Sequence, residues 1–175
     1  MQKGRGLGQS KGVVRVDPIR YVERWRVRTY ELDSQGHVNN AIYLSWAEEI
    51  ASRHAEAAGY GRLWSQSRGG AWVIHRADVT YLRPALYGDE IEVAVQVEAV
   101  KGARGVRRTW IRRLPERELL AEVLVEWVWV GVDGRPRRVP LELVELARGA
   151  AATPTESGPA AAGDQGSDLT APAEG

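Results

Sequence analysis

Apolar and polar side chains alternate with a period of two through much of the chain. Over residues 90–98 every odd position is apolar and the even positions are mostly polar. Residues 120–129 have one wholly apolar face and one mixed face. Such alternation is typical of β-strands that bury one face. We also predict strands over residues 20–29, 72–82 and 105–113.

Short connections separate these strands. Turns are predicted at Gly88-Asp89, at Lys101-Gly102 and around Pro115. The last three strands follow one another through links that permit hairpins but are too short for a crossover. The sheet is therefore predicted to be antiparallel.

One segment breaks the period of two. Residues 41–58 are rich in Ala and Glu and are followed by Gly59, a pattern that favours a helix of roughly 27 Å. Asn39 and Asn40 lie where an N-cap is expected. The apolar residues follow helical spacing: Ile42, Trp46, Ala47, Ile50 and Ala51. One strand, one long helix and four further strands predict an α+β fold in which one sheet packs on one helix.

Composition assigns this fold to residues 17–148. Residues 149–175 are mostly Ala, Gly and Pro, and they cannot bury enough apolar surface to offset the entropy of ordering. We therefore predict a disordered tail there, and we expect residues 1–16 to be disordered as well. The 175 residues suit a single domain.

Charge and composition exclude several classes of protein. The chain has no cysteine, which excludes a disulfide scaffold, a thiolate metal site and a cysteine nucleophile. Its three histidines argue against a histidine-rich metal cluster. Residues 1–28 hold eight basic and two acidic side chains, but glycines interleave the first charges, so we interpret the basic N-terminal end as a solvated tail without a nucleic-acid partner. No apolar run approaches the roughly 20 residues that span a bilayer, and no secretory signal is evident, so no membrane partner and a cytoplasmic location are expected.

The densest group of polar residues joins the first strand to the helix, at residues 30–40, YELDSQGHVNN. A carboxylate, a glycine, an imidazole and two amides thus lie beside a helix N-terminus, where unpaired backbone N–H groups favour an anion. The same residues also fit a capped turn, with Asp33 bonded to its own loop, Gly36 at a positive φ and Asn39 as the cap. The residue chemistry alone leaves both interpretations open.

Residues 33–44, DSQGHVNNAIYL, followed by Glu48, closely resemble the signature of the hotdog-fold thioesterases. The most similar group is the 4-hydroxybenzoyl-CoA thioesterase family with its acyl-CoA and acyl-carrier-protein thioesterase relatives. Residues 81–85, YLRPA, before Gly88-Asp89 resemble that family's connection between the second and third strands. The resemblance covers roughly residues 20–140.

This resemblance implies a hotdog fold, an antiparallel sheet wrapped around one long central helix, in a homodimer or homotetramer with sites at the subunit interface. It implies hydrolysis of an acyl-CoA or acyl-carrier-protein thioester, with Asp33 as general base or nucleophile and the backbone amide of Asn40 in the oxyanion hole. The residues that it implies for substrate binding are Gly36, His37, Val38, Asn39, Glu48 and Arg83. A thioester has a good leaving group, so no metal and no cofactor are expected, coenzyme A being part of the substrate.

The chain departs from some bacterial members at one position, where they place a catalytic histidine and this chain has Asn40. His37 lies three positions earlier, and we interpret it as a structural hydrogen-bonding residue, as we interpret His54 and His75 as structural. Glu48 is expected in a salt bridge or in the wall of the site. A basic group fits either a grip on coenzyme A phosphates or a solvated hairpin face: Lys101, Arg104, Arg107, Arg108, Arg112 and Arg113.

Two other functions stay open. One is a hotdog dehydratase or hydratase, with Asp33 and His37 as its acid/base pair, and the other is a non-catalytic acyl-CoA-binding protein. A homo-oligomer is expected whichever function applies, because one helix covers only one face of the sheet. Trp127 and Trp129 are expected to add bulky apolar surface to a late strand.

Overall fold

The computed structural model describes residues 17–151 except Pro18, and the side chains as far as Arg148. The predicted disordered segment 1–16 and residues 152–175 of the predicted tail lie outside the described residues. The elements are the strands β1 (Arg20–Arg26), β2 (Gly70–Tyr81), β3 (Glu90–Lys101), β4 (Arg104–Arg113) and β5 (Glu118–Gly131), the helices α1 (Asn40–Ala57), α2 (Arg62–Ser67) and α3 (Leu141–Ala151), and a 3₁₀ turn (Thr29–Glu31).

The five strands form one antiparallel sheet in the order β1-β3-β4-β5-β2. Strands β3, β4 and β5 are joined in succession by hairpins, as predicted, and β1 and β2 form the two edges. Helix α1 contacts all five strands, so the sheet curves around it. This arrangement confirms the predicted α+β hotdog fold. Among the described residues, no helix has the length and apolar character needed to cross a bilayer.

The hydrophobic core lies between α1 and the concave face of the sheet. In β3 the predicted apolar face is confirmed, because Ile91, Val93 and Val95 are fully buried in that core. The opposite face is buried as well at Glu92 and Ala94, so the prediction of a single buried face is wrong there. The predicted stripe of α1 is confirmed as well: Trp46, Ala47, Ile50 and Ala51 are buried, and Ile42 is partly buried against them. Each fully buried side chain of the size of Ile or Val stabilises the fold by roughly 1.5–3 kcal/mol.

The convex face of the sheet carries charged side chains paired across neighbouring strands. The pairs are Arg104 with Glu126, Arg108 with Glu98 and Glu122, and both Arg112 and Arg117 with Glu92. Cross-strand pairs of opposite charge stabilise the face of a sheet that carries them, and of the residues in these pairs Glu92 is buried. The contacts of Arg104, Arg108 and Arg112 support the solvated-face interpretation. Arg107 and Arg113 are exceptions, because they lie opposite the core residues Val125 and Ile91 on the concave face.

Two helices, α2 and α3, were not predicted, and the interpretation of one helix on one sheet is wrong in this respect. Helix α2 has only six residues, too few for a helical period to be recognised. Helix α3 begins after Pro140 and runs three residues into the segment that was predicted to be a tail.

The expectation that Trp127 and Trp129 add exposed apolar surface is also wrong. Trp129 is 3% exposed, and its ring packs against Trp64 of α2 and Trp72 of β2, with ring centroids 6.1 and 5.4 Å away. Trp127 is partly buried against the core. Helix α2, which the sequence pattern did not reveal, therefore covers the end of the sheet where these rings lie.

Candidate functional site

The segment between β1 and α1 folds back on itself, and we call residues 31–40 the site loop. The backbone N–H of Asp33 donates to the carbonyl oxygen of His37 at 2.7 Å, and Leu32 and Val38 form an antiparallel bridge. Gly36 lies at the tip with φ of 81°, a left-handed conformation that favours glycine. The two arms of the loop therefore place Asp33 directly beside His37.

Asp33 uses one carboxylate oxygen to hold this turn. Its Oδ1 accepts hydrogen bonds from the backbone N–H groups of Gln35 at 2.8 Å and His37 at 3.1 Å. Its Oδ2 has no hydrogen-bond partner among the residues that the structure describes, and the side chain is half-buried. The capped turn and the catalytic carboxylate are thus compatible, because each interpretation uses a different oxygen of the same group.

Helix α1 begins directly after the second arm of the loop. Asn39 is the N-cap, as predicted, and its Oδ1 accepts from the backbone N–H of Ala41 at 2.9 Å. Asn40 is the first helical residue and is exposed, and within the described part of the chain its backbone N–H has no acceptor. An unpaired N–H at a helix start, where the helix dipole is positive, is a suitable donor to developing negative charge.

The connection between β2 and β3 packs against the site loop. The backbone N–H of Val38 donates to the carbonyl oxygen of Ala85 at 2.9 Å, and His37 forms a bridge with Leu86. The hydroxyl of Tyr43 accepts from the backbone N–H of Ala85 at 2.9 Å. The structure therefore brings together the two segments that carry the resemblance.

Two further contacts anchor the loop to the core. The hydroxyl of Tyr81 donates to the carbonyl oxygen of Asn40 at 2.9 Å. Glu31 is buried, and its carboxylate accepts from the indole N–H of Trp46 at 3.0 Å and from the backbone N–H of Arg28 at 2.7 Å. Sequence reasoning missed Glu31, because nothing in its neighbourhood along the chain indicates a partner fifteen residues away.

Three of the predicted site residues contribute less than expected. The hydrogen bonds of His37 come from its backbone, and among the described residues its ring makes none. Glu48 is half-buried on α1 and has no ion pair in that same part of the chain, where a salt bridge was one expectation. Arg83 is exposed and lies 3.6 Å from Glu118, and it makes no hydrogen bond or ion pair with the site loop.

A metal centre has no evident set of ligands in this region. Among residues 17–151 as described, no three His, Asp or Glu side chains come together as a metal ion would require. The loop does offer a carboxylate oxygen, from Asp33, and a backbone donor, from Asn40 at the exposed start of the helix. Such a pair suits a reaction in which a carbonyl oxygen gains negative charge.

Comparison with known proteins agrees with this geometry. The family model of the thioesterase-like superfamily matches residues 27–154. The long-chain acyl-CoA thioesterase FadM of Escherichia coli (strain K12) is 30% identical over 105 residues, which cover 60% of this chain and 79% of FadM. The acyl-acyl carrier protein thioesterase ATL2, chloroplastic, of Arabidopsis thaliana is 30% identical over 115 residues, 66% of this chain and 61% of ATL2.

A solved structure shares both the fold and part of the sequence. A thioesterase from Thermus thermophilus, crystallised with coenzyme A and Zn, is 31% identical and superposes with a TM-score of 0.64. The match covers 79% of this chain and 98% of that one. The two proteins therefore share an overall fold.

Proposed function

The chain belongs to the thioesterase-like superfamily and is a thioester hydrolase, and we propose that it cleaves acyl thioesters of coenzyme A or acyl carrier protein at the site loop. The observation that carries this assignment is a pair of groups on one loop that have no partner among the described residues: Oδ2 of Asp33 and the backbone N–H of Asn40. Asp33 lies beside His37, and the three residues from His37 to Asn40 span at most about 11 Å. We infer that both groups act on one bound thioester.

In the proposed reaction the thioester carbonyl oxygen accepts a hydrogen bond from the N–H of Asn40. Oδ2 of Asp33 either removes a proton from the water that attacks the carbonyl carbon or attacks that carbon itself. The carbon–sulfur bond then breaks. In the general-base route the leaving thiolate takes the proton that Asp33 removed from water; after direct attack it takes a proton from solvent, and water hydrolyses the mixed anhydride. The N-terminus of α1 stabilises the oxyanion throughout, because its donor is already oriented before the reaction begins.

The remaining site residues have supporting roles in this proposal. Gly36, His37, Val38 and Asn39 hold the loop through their backbone conformation and hydrogen bonds. Glu48 forms part of the wall. Arg83 contacts a substrate phosphate, since its present partner is an exposed carboxylate 3.6 Å away, a pair worth little in water. The cytoplasmic location expected from the sequence stays a prediction.

Release of free thiol tests the activity. We expect a panel of acyl-CoA thioesters and acyl carrier proteins to include substrates that yield one thiol per carboxylic acid, at a rate that EDTA does not change. Loss of an enoyl absorbance without thiol release would indicate a hydratase instead. Tight binding of acyl-CoA with neither product would indicate a binding protein, and either result would contradict the proposal.

We propose that the protein is a homo-oligomer built by pairing β2 with β2 of a second copy. Strand β2 is a twelve-residue edge strand, and most of its side chains are exposed. Val73 and Ile74 on it are 43% and 36% exposed. An edge strand leaves backbone donors and acceptors unpaired, and two antiparallel copies satisfy them about a two-fold axis. The exposed edge of β2 is thus the argument for an oligomer, because Trp129 is buried and Trp127 is partly buried within the chain.

Light scattering on an edge variant tests this assembly. The wild-type protein is expected to have a multiple of the 19.3 kDa chain mass at micromolar concentration. Ile74→Lys should shift it toward the monomer, because the two-fold axis brings the two added charges near each other. Val132→Lys is the control, since Val132 is 92% exposed and lies beyond the end of β5. A monomeric wild type would contradict the proposed assembly.

A further inference from the structure

A cavity of about 440 Å³ lies at the opposite end of α1 from the site loop. The cavity is lined by the C-terminal half of α1, the start of β2, the end of β3, the start of β4, and α3. Its apolar wall includes Ile19, Trp72, Val97, Val100, Leu143 and Leu146. Ala51 is the first α1 residue in the wall, eleven residues or roughly 17 Å along the helix from Asn40. The volume is within the range of small-molecule sites, and the position is separate from the site loop.

Arg107 introduces a positive charge into this wall. Its Nη1 donates to the carbonyl oxygen of Ala51 at 2.8 Å, and no carboxylate lies within ion-pair distance of it among the described residues. Burial lowers the pKa of Arg107 to about 10, so the guanidinium is still charged at neutral pH. Glu56 also lines the cavity, but its carboxylate accepts from the backbone N–H of Arg62 and makes no ion pair with Arg107 in the described part of the chain. A largely buried charge without a direct counter-charge is unfavourable, and Arg107 therefore favours an anion beside it.

Two neutral polar groups on residues that line the same cavity have no hydrogen-bond partner among the described residues. They are Nε1 of Trp127 and Nδ1 of His54, and both atoms are buried. Val125 of β5 lies opposite Arg107 of β4, and Trp127 is two residues beyond Val125. The side chains of Trp127 and Arg107 are therefore diagonal neighbours on the concave face. Buried donors and acceptors are rarely left unpaired, so two such groups beside a buried guanidinium mark a ligand site.

The hydrogen bond of His54 shows which of its two ring nitrogens carries the proton. Its Nε2 lies 2.9 Å from the carbonyl oxygen of Asp17, which can only accept, so Nε2 carries the proton. Burial lowers the pKa of His54, and the ring is therefore neutral at pH 7. Its Nδ1 is consequently an acceptor, suited to a hydroxyl or to a water molecule beside a ligand head group.

We propose that this cavity binds a fatty-acid anion. The carboxylate accepts hydrogen bonds from Arg107 and from the indole N–H of Trp127, and a water molecule at the head group donates to Nδ1 of His54. The alkyl chain fills the apolar part of the cavity. Fatty acids are also the products of acyl thioester hydrolysis, so the site would sense product; that link rests on the proposed function, whereas the binding site does not.

Calorimetric titration of the full chain with dodecanoate and with dodecan-1-ol tests the proposal. The wild type is expected to bind dodecanoate at least tenfold more tightly than the alcohol, because only the carboxylate neutralises Arg107. Arg107→Met keeps the side-chain length but removes the charge, and it should abolish that preference. Arg108→Met is the matched control, since this neighbouring residue pairs with Glu98 and Glu122 on the convex face; its preference should equal that of the wild type.

Two further variants keep the test decisive. Trp127→Phe retains the ring without the N–H, and it should weaken dodecanoate threefold or more while leaving the alcohol unchanged; it carries the test alone if Arg107→Met fails to fold. Leu146→Trp fills the cavity, and it should abolish binding of both amphiphiles while thiol release continues at the wild-type rate. Dodecanoate that still binds to Leu146→Trp would lie at another site, which would overturn the proposal.

Equal binding of dodecanoate and dodecan-1-ol by the wild type would also overturn it, as would an unchanged preference in Arg107→Met. These outcomes are independent of the reaction at the site loop. A wild type that releases no thiol but prefers dodecanoate would contradict the proposed function alone.

Discussion

Asp33→Asn is expected to lower kcat for thioester hydrolysis by at least about 100-fold, the low end for loss of a general base. The amide oxygen of asparagine can still accept from the backbone N–H groups of Gln35 and His37, so the loop should keep its conformation. The amide can neither take a proton from water nor attack a carbonyl carbon. Steady-state kinetics and a melting curve of the same preparation measure both effects.

The comparison with alanine separates the two functions of this carboxylate. Asp33→Ala removes the acceptor of the turn as well as the base, so it should lower the melting temperature in addition to kcat. Ser34→Ala changes an exposed neighbour on the same loop, and it should keep kcat within about twofold of the wild type. Near-normal kcat in a folded Asp33→Asn protein would show that the residue serves only the capped turn.

Asn40→Pro is expected to lower kcat by about 10²–10³, as removal of one oxyanion-hole donor does elsewhere. Asn40 is the first helical residue, where proline is tolerated because that N–H has no partner within the helix. The preceding Asn39 has φ of −58° and ψ of 136°, which suits a residue before proline. The carbonyl oxygen that accepts from Tyr81 is retained, so the fold should survive.

Asn40→Ala is the matched variant, because it removes the side-chain amide but keeps the backbone N–H. The side chain is exposed, and among the described residues it makes no hydrogen bond. Asn40→Ala should therefore cost clearly less in kcat than Asn40→Pro, with similar melting temperatures for both. The reverse order, with alanine crippling and proline mild, would assign the chemistry to the side chain.

The elements that could be predicted from the sequence are those determined by neighbours along the chain. The period of two in residues 90–98 predicts a strand with an apolar face, and β3 buries Ile91, Val93 and Val95 in the core as that pattern requires. The helix start follows from Asn39, whose cap involves a residue only two positions away. The sequence could therefore predict both without knowledge of distant contacts.

The features that could not be predicted depend on residues that are far apart in the sequence. Arg107 contacts Ala51, 56 residues earlier, and this contact turns one arginine of a basic group away from solvent. Trp129 is covered by α2, whose six residues are too few to show a period. At the site loop the residue types alone fitted two interpretations of Asp33, because only the hydrogen bonds reveal which of its oxygens stays free.

The contacts that hold the site loop against its neighbours determine whether its conformational entropy is lost during folding or at each binding of substrate. Within the loop, His37 bridges Leu86 and Val38 donates to Ala85, and Glu31 is buried. These contacts fix the loop as the protein folds. Ordering a residue costs roughly 1–2 kcal/mol of conformational entropy, and a mobile loop would lose that freedom each time a substrate bound. Here the loss is met once for the lifetime of the folded molecule. Binding energy from the acyl group and its carrier is consequently left for the reacting bond.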